Sequence, residues 1–225
     1  MRGDTMQAII FDMDGLMIDS ERVTFECYQE VMKTMGLTMD RDFYVTLLGH
    51  TADIAKKQFE KVYGKNFPYE DALKKTHTLM ARRFINEGVP LKPGLLELLQ
   101  YLKKHHYKTI VATSSTRKRV DSILNLAHLT SYFDDSICGD EVTNSKPDPE
   151  IFIKACRKLH VSKNHALVLE DSEAGIQAAY NGQIKVICIP DMKQPEEQYV
   201  KMTEQVLPSL NDVTPLLKKH RLKRL

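Results

Sequence analysis

The spacing of apolar positions divides this chain into two regimes. After Ser20, apolar side chains recur every three or four residues through Val23, Cys27, Val31 and Met35 and stop at Gly36. The same period returns from Thr51 to Gly64 (Ile54, Ala55, Phe59, Val62) and from Pro68 to Gly88 (Leu73, Leu79, Met80, Phe84). This spacing predicts amphipathic helices, with Ser20 placed to cap the first and glycines to end each one. No convincing strand lies between Ser20 and Glu87, so the apolar stripes read as the core of a helical block.

Beyond Pro90 and Pro93-Gly94 the pattern changes. Helical stretches at 95–104, 117–126, 149–159 and 174–180 alternate with short apolar runs at 109–112, 136–138, 166–169 and 185–189. The run at 8–11, Ala-Ile-Ile-Phe, is of the same kind. Short apolar strands separated by helices of this length predict right-handed crossovers and a parallel sheet covered on both faces. The predicted organisation is therefore an α/β core of residues 1–17 and 91–225, with residues 18–90 inserted after its first strand. Ligands of such sheets bind beyond the carboxyl ends of the strands, and the inserted block is expected to lie over that edge.

Composition narrows the class. The chain has 225 residues, 42% hydrophobic and 28% charged, which suits a globular enzyme with a sizeable core. The net charge is +2, but the last eight residues, KKHRLKRL, hold five Lys/Arg and no acid, so the remainder is mildly acidic at −3. That tail reads as a solvated, frayed terminal helix. It lacks the broad basic face with base-reading groups that a nucleic-acid contact needs, so no nucleic-acid partner is expected. Cys27, Cys138, Cys156 and Cys188 are widely spaced, form no C-x-x-C and sit in apolar surroundings, which predicts buried reduced thiols. No apolar run approaches the ~20 residues needed to span a bilayer. A monomeric, cytoplasmic protein without a membrane partner is expected.

Chemistry gathers at the predicted strand ends. The first strand runs into Asp12-Met13-Asp14-Gly15. Two carboxylates two residues apart at the end of a buried strand repel each other and lose hydration, which raises at least one pKa unless a cation intervenes. A plain Asx turn is the alternative reading. The 109–112 strand ends in Thr113-Ser114-Ser115-Thr116 before Arg117, offering hydroxyl donors and a helix N-terminus to an anion, or simply a helix cap. Lys146 stands between turn residues in Ser145-Lys146-Pro147-Asp148-Pro149, where its ammonium is aimed at one spot or merely solvated. The 166–169 strand ends in Glu170-Asp171-Ser172, and a helix cap explains one of those acids but not both. Together these residues sort into a Mg²⁺ site and a phosphate site.

The combination FDMDGLMIDSE, VATSS, SKPDPEIF and LEDSEAG resembles the haloacid dehalogenase superfamily, in particular its phosphatases and β-phosphoglucomutase-like members with a helical cap. The likeness runs from about Met6 to Pro190, with all four motifs in order, and implies a Rossmann-like core with an inserted α-helical cap domain. By position it implies Asp12 as nucleophile and Asp14 as general acid/base, with Thr113 and Ser114 as phosphate donors beside Gly15. It also implies Lys146 as the phosphate-neutralising cation. Asp12, Asp171 and the Asp14 carbonyl would hold Mg²⁺, with Glu170 either a ligand or a support. The expected substrate and partner is a small-molecule phosphate ester, hydrolysed through an aspartyl-phosphate.

A sugar-phosphate mutase is the alternative on the same scaffold. Mutases resembling this chain carry a histidine where Thr24 stands and an arginine where Ala52 stands, so a second phosphate would be poorly held. His50 remains a candidate substrate contact that keeps this reading open. Carbon–halogen cleavage has no use for Asp14 or the metal acids. A non-catalytic binding module would show erosion of a motif residue, and all are present. Glu21, Arg22, Phe25, His50 and Thr51 in the cap, and Thr116 and Arg117 in the core, are the candidates for contact with the leaving group.

Overall fold

The computed structural model describes residues 6–49 and 52–222; His50 and Thr51 therefore lie outside the described residues. Two compact units emerge, one of the residues up to Asp19 together with those from Leu91 onward, the other Ser20–Pro90. The first break falls two residues beyond the expected one. Ile18 belongs to the core unit because it bridges to Leu91, its carbonyl accepts from Gly15 N–H at 3.0 Å and its amide donates to Met13 O at 3.2 Å.

The core unit is built on six parallel strands: β1 (Ala8–Phe11), β2 (Lys108–Ala112), β3 (Asp135–Ile137), β4 (Ala166–Glu170), β5 (Lys185–Cys188) and β6 (Gln205–Val206). Their order across the sheet is β3-β2-β1-β4-β5-β6. β1 thus sits between β2 and β4, with Phe11 level with Val111 on one side and Leu169 on the other. All four β1 residues are buried, as a strand covered on both faces requires. Ala8 and Ile10 join Phe152, Ile176 and Val186 in one core cluster, while the alternate side chains turn to the other face, where Phe11 meets Phe133 edge-on at 5.6 Å.

Helices α5 (Leu95–Lys104), α6 (Arg117–Leu126), α7 (Glu150–Lys158), α8 (Glu173–Asn181), α9 (Glu197–Val200) and α10 (Val213–Leu222) complete this unit. β6, α9 and most of α10 carry too few or too irregular apolar positions for the periodicity to reveal them. The other unit holds α1 (Ser20–Thr34), α2 (Arg41–Leu47), α3 (Ala52–Tyr63) and α4 (Tyr69–Glu87). Its centre is Phe59, ringed by Tyr28, Phe43, Tyr63, Phe67 and Tyr69 at 5.1–5.8 Å between centroids. α2, unforeseen from the pattern, supplies Phe43 to that ring and is capped by the Asp40 carboxylate, which accepts from Asp42 and Phe43 N–H. The expected Ser20 cap is a correction: its buried hydroxyl has no hydrogen-bond partner, and Ser20 already belongs to the helix.

All four cysteines are buried free thiols. Among the described residues no helix is long and apolar enough to cross a membrane.

Candidate active site

The carboxyl ends of β2, β1 and β4 lie side by side, so the residues that follow them share one edge. Asp12 leaves β1 directly, its N–H still donating to Leu169 O of β4 at 3.0 Å. Thr113 leaves β2, its N–H donating to Ile137 O of β3. Glu170 is the last residue of β4 and is fully buried.

Lys146 joins them. Its Nζ donates to Asp12 Oδ1 at 2.5 Å and to Glu170 Oε1 at 2.6 Å, with Ala112 O at 3.3 Å. The lysine side chain is only 6% exposed, and its ammonium lies 4.9 Å from the centre of the Phe152 ring. One ammonium thus faces two buried carboxylates, which leaves the cluster with one negative charge in excess. Burial pushes the Asp12 carboxyl up to about 7, with the charges of Glu170 and Asp14 adding to that effect and Lys146 opposing it. The two acid partners hold the Lys146 ammonium above its ordinary range despite its burial.

Neighbouring loops hold this lysine. Glu150, at the start of α7, accepts from Thr143 N–H at 3.0 Å and Asn144 N–H at 2.8 Å, and Asp148 Oδ1 accepts from Glu150 N–H at 2.9 Å. Asn181 of α8 donates to Pro147 O at 3.1 Å. Lys146 is therefore aimed by a loop anchored at both ends.

Glu170 Oε2 accepts from the Asp171 and Ser172 amides and from Ser172 Oγ, at 2.8–2.9 Å. With Oε1 on Lys146, both oxygens accept hydrogen bonds from the chain itself. Asp171 turns the other way. A Cβ built on Gly15 would lie 2.2 Å from Asp171 Oδ2 and 3.4 Å from Asp191 Oδ2, so both carboxylates reach the loop carrying Asp12 and Asp14. Gly15 can receive them because it has no side chain and adopts φ +81°. Asp191 also accepts from Lys92 at 2.6 Å; no strand-end pattern pointed to it.

Asp14 and its neighbours depart most from expectation. Ser115 Oγ donates to Asp14 Oδ2 at 2.8 Å, and Arg119 of α6 donates through Nη2 to Asp14 Oδ1 and through Nε to Ser115 Oγ at 3.1 Å. Arg119 carries no signal in the sequence beyond its helical position. Arg117, expected near the leaving group, instead donates to Ser136 Oγ at 2.5 Å and pairs with Glu141 and Asp121. Its backbone N–H donates to the Asp140 carboxylate at 3.0 Å, so that α6 N-terminal donor is engaged by an acid of the chain itself. Thr113 Oγ1 accepts from Ser115 N–H at 3.2 Å and keeps its proton available, while Ser114 is exposed.

Asp171 Oδ2 reaches the Gly15 notch on the turn that carries Asp12 and Asp14, and carboxylate and carbonyl oxygens of such a turn are the hard donors that suit Mg²⁺. Among the described residues the close His/Cys/Asp/Glu group is Cys138, Asp140 and Glu141, whose carboxylates are already taken by Arg117.

The family model for haloacid dehalogenase-like hydrolases matches residues 9–189, a span that includes Asp12, Asp14, Thr113, Lys146, Glu170 and Asp171. The chain belongs to that family. A phosphorylated carbohydrates phosphatase of Thermotoga maritima is 32% identical over 186 residues, covering 81% of this chain and 84% of the relative. The mitochondrial (DL)-glycerol-3-phosphatase 1 of Arabidopsis thaliana is 29% identical, covering 92% and 71%. A solved Thermotoga maritima structure assigned to the β-phosphoglucomutase type superposes with TM-score 0.80 at 27% identity, covering 95% of this chain and 99% of that one. Within the haloacid dehalogenase-like family this chain is a phosphoric monoester hydrolase.

Proposed function

We propose that this protein is a Mg²⁺-dependent phosphatase of a small phosphorylated metabolite, a sugar phosphate or nucleotide-like monoester, acting through an aspartyl-phosphate on Asp12. The observation that carries this reading is the buried Lys146 ammonium bridging Asp12 at 2.5 Å and Glu170 at 2.6 Å. A phosphate dianion repels a carboxylate nucleophile, and a fixed cation beside that nucleophile removes much of the repulsion. Asp12, Asp171 and the Asp14 carbonyl would hold Mg²⁺, which would supply the rest of the positive charge that a phosphate dianion needs.

The chain's own groups then divide the work. Thr113 and Ser114 donate to the phosphate oxygens, and Lys146 offsets their charge. An Asp12 carboxylate oxygen forms a bond to phosphorus as the ester P–O bond breaks, and the leaving oxygen takes a proton from Asp14. A water then attacks the phosphorus, gives its proton to Asp14 and breaks the Asp12–phosphorus bond, which releases inorganic phosphate and restores both acids. The phosphatase relatives at 32% and 29% identity support a carbohydrate or polyol phosphate as substrate. We read the protein as acting in the cytoplasm as a monomer.

The test is phosphate release from glucose 6-phosphate, glycerol 3-phosphate, β-glucose 1-phosphate, uridine 5′-monophosphate and p-nitrophenyl phosphate, with Mg²⁺ and after chelation. Mg²⁺-dependent release, and a phosphorylated Asp12 seen by mass spectrometry after rapid quenching, are expected. Turnover retained by Asp12→Asn would overturn the nucleophile assignment. The likeness to the β-phosphoglucomutase-type structure favours one second reading, and isomerised glucose 6-phosphate from β-glucose 1-phosphate would replace the hydrolase with the mutase.

A further inference from the structure

Asp14 stands on the turn after β1, bridged through its backbone to Ile18, with its side chain 25% exposed. A carboxylate on such a turn has several staggered orientations open to it. Here both oxygens are held: Oδ2 by Ser115 Oγ at 2.8 Å, Oδ1 by Arg119 Nη2. Arg119 also grips the hydroxyl that holds the other oxygen, its Nε donating to Ser115 Oγ at 3.1 Å. The three side chains close a ring, and a planar guanidinium suits it because two of its N–H groups point the same way.

The Arg119 and Asp14 side chains are 28% and 25% exposed, so the pair is partly buried. What the ring fixes is the direction of one carboxylate.

We propose that Arg119 is a positioning residue for the reaction: through Ser115 and its own contact it sets the Asp14 carboxyl for proton donation to the leaving oxygen. The inference rests on the phosphatase reading above, in which Asp14 is the acid/base. It separates from that reading experimentally, because a leaving alkoxide needs the proton whereas a nitrophenolate does not.

The test compares p-nitrophenyl phosphate with the alkyl ester of the panel cleaved fastest, in Arg119→Met, Arg119→Lys, Asp14→Asn and the Arg119→Met/Asp14→Asn double variant. Arg119→Met is expected to lower kcat for the alkyl ester by roughly 10- to 100-fold, the scale of a misplaced catalytic group. KM is expected to hold within about twofold, with a much smaller loss on the aryl ester. In the Asp14→Asn background the arginine change is expected to add nothing, since the two act as a unit. Arg119→Lys is expected to recover part of the rate. Equal losses on both esters, or the same factor with Asp14 already removed, would overturn the positioning role and leave the acid/base reading standing. An Asp14→Asn variant that spares the alkyl ester would sink the acid/base reading itself, and the Arg119 role with it.

Discussion

Glu170 and Gly175 fit together only because Gly175 has no side chain: a Cβ there would lie 1.8 Å from Glu170 Oε1. The first turn of α8 therefore approaches the carboxylate that holds Lys146 more closely than any larger residue permits. Gly175→Ala is expected to push Glu170 off Lys146, at a cost typical of an overpacked site, about 1–3 kcal/mol. kcat should fall at least roughly tenfold, on the scale of a displaced supporting group. Steady-state kinetics beside a melting curve check this; wild-type kcat would mean that Glu170 does not set the lysine.

Two buried carboxylates sharing one ammonium predict an asymmetry between inactive variants. Lys146→Met leaves Asp12 and Glu170 buried without their cation and is expected to cost about 3 kcal/mol, roughly 6–12 °C in Tm for a chain of this size. Asp12→Asn leaves a matched Lys146–Glu170 pair and is expected to abolish turnover with Tm unchanged or raised. Calorimetry of both metal-free variants decides the matter, and a large loss of Tm in Asp12→Asn would contradict the charge count.

Gly15→Ala meets two obstacles. The residue holds φ +81°, and its new Cβ would collide with Asp171 Oδ2 at 2.2 Å. Displacing Asp171 is expected to weaken Mg²⁺ binding by about 10- to 100-fold, read by calorimetric titration of the metal and by the Mg²⁺ concentration that gives half-maximal activity. Unchanged affinity would remove Asp171 from the ion.

Glu150 links acid stability to the lysine loop. The Lys154 ammonium and the amides of Thr143 and Asn144 hold its carboxyl down at about 2, against an ordinary 4.5. A depressed carboxyl contributes stability that is present above its unfolded value and lost as pH falls through the folded one. Glu150→Gln is therefore expected to flatten the loss of stability between pH 4.5 and 2, measured by denaturant unfolding at several pH values. An unchanged slope would mean the loop contacts do not persist in solution.

Much of the fold is legible in the chain because burial imposes period. The apolar runs at 8–11 and 166–169 and the 3.6-residue stripes of α1 and α4 announce themselves. α2, seven residues long, and β6, two residues long, are too short for a period to form. Asp12 and Asp171 stood out because carboxylates are costly at buried strand ends unless chemistry needs them, and Lys146 because turn-forming residues flank it on both sides. Arg117 misled because an arginine beside a row of hydroxyls looks ready for an anion, whereas Ser136, Glu141 and Asp121 occupy it.

Local residue chemistry by itself determined which strand ends would be polar, since apolar runs and the acids that interrupt them are written consecutively. Which groups hold those acids was decided only in three dimensions. Arg119 reaches Asp14 across 105 positions and Lys146 reaches Asp12 across 134. Contacts over such separations depend on strand order and register, which β1 acquires only when it pairs between β2 and β4.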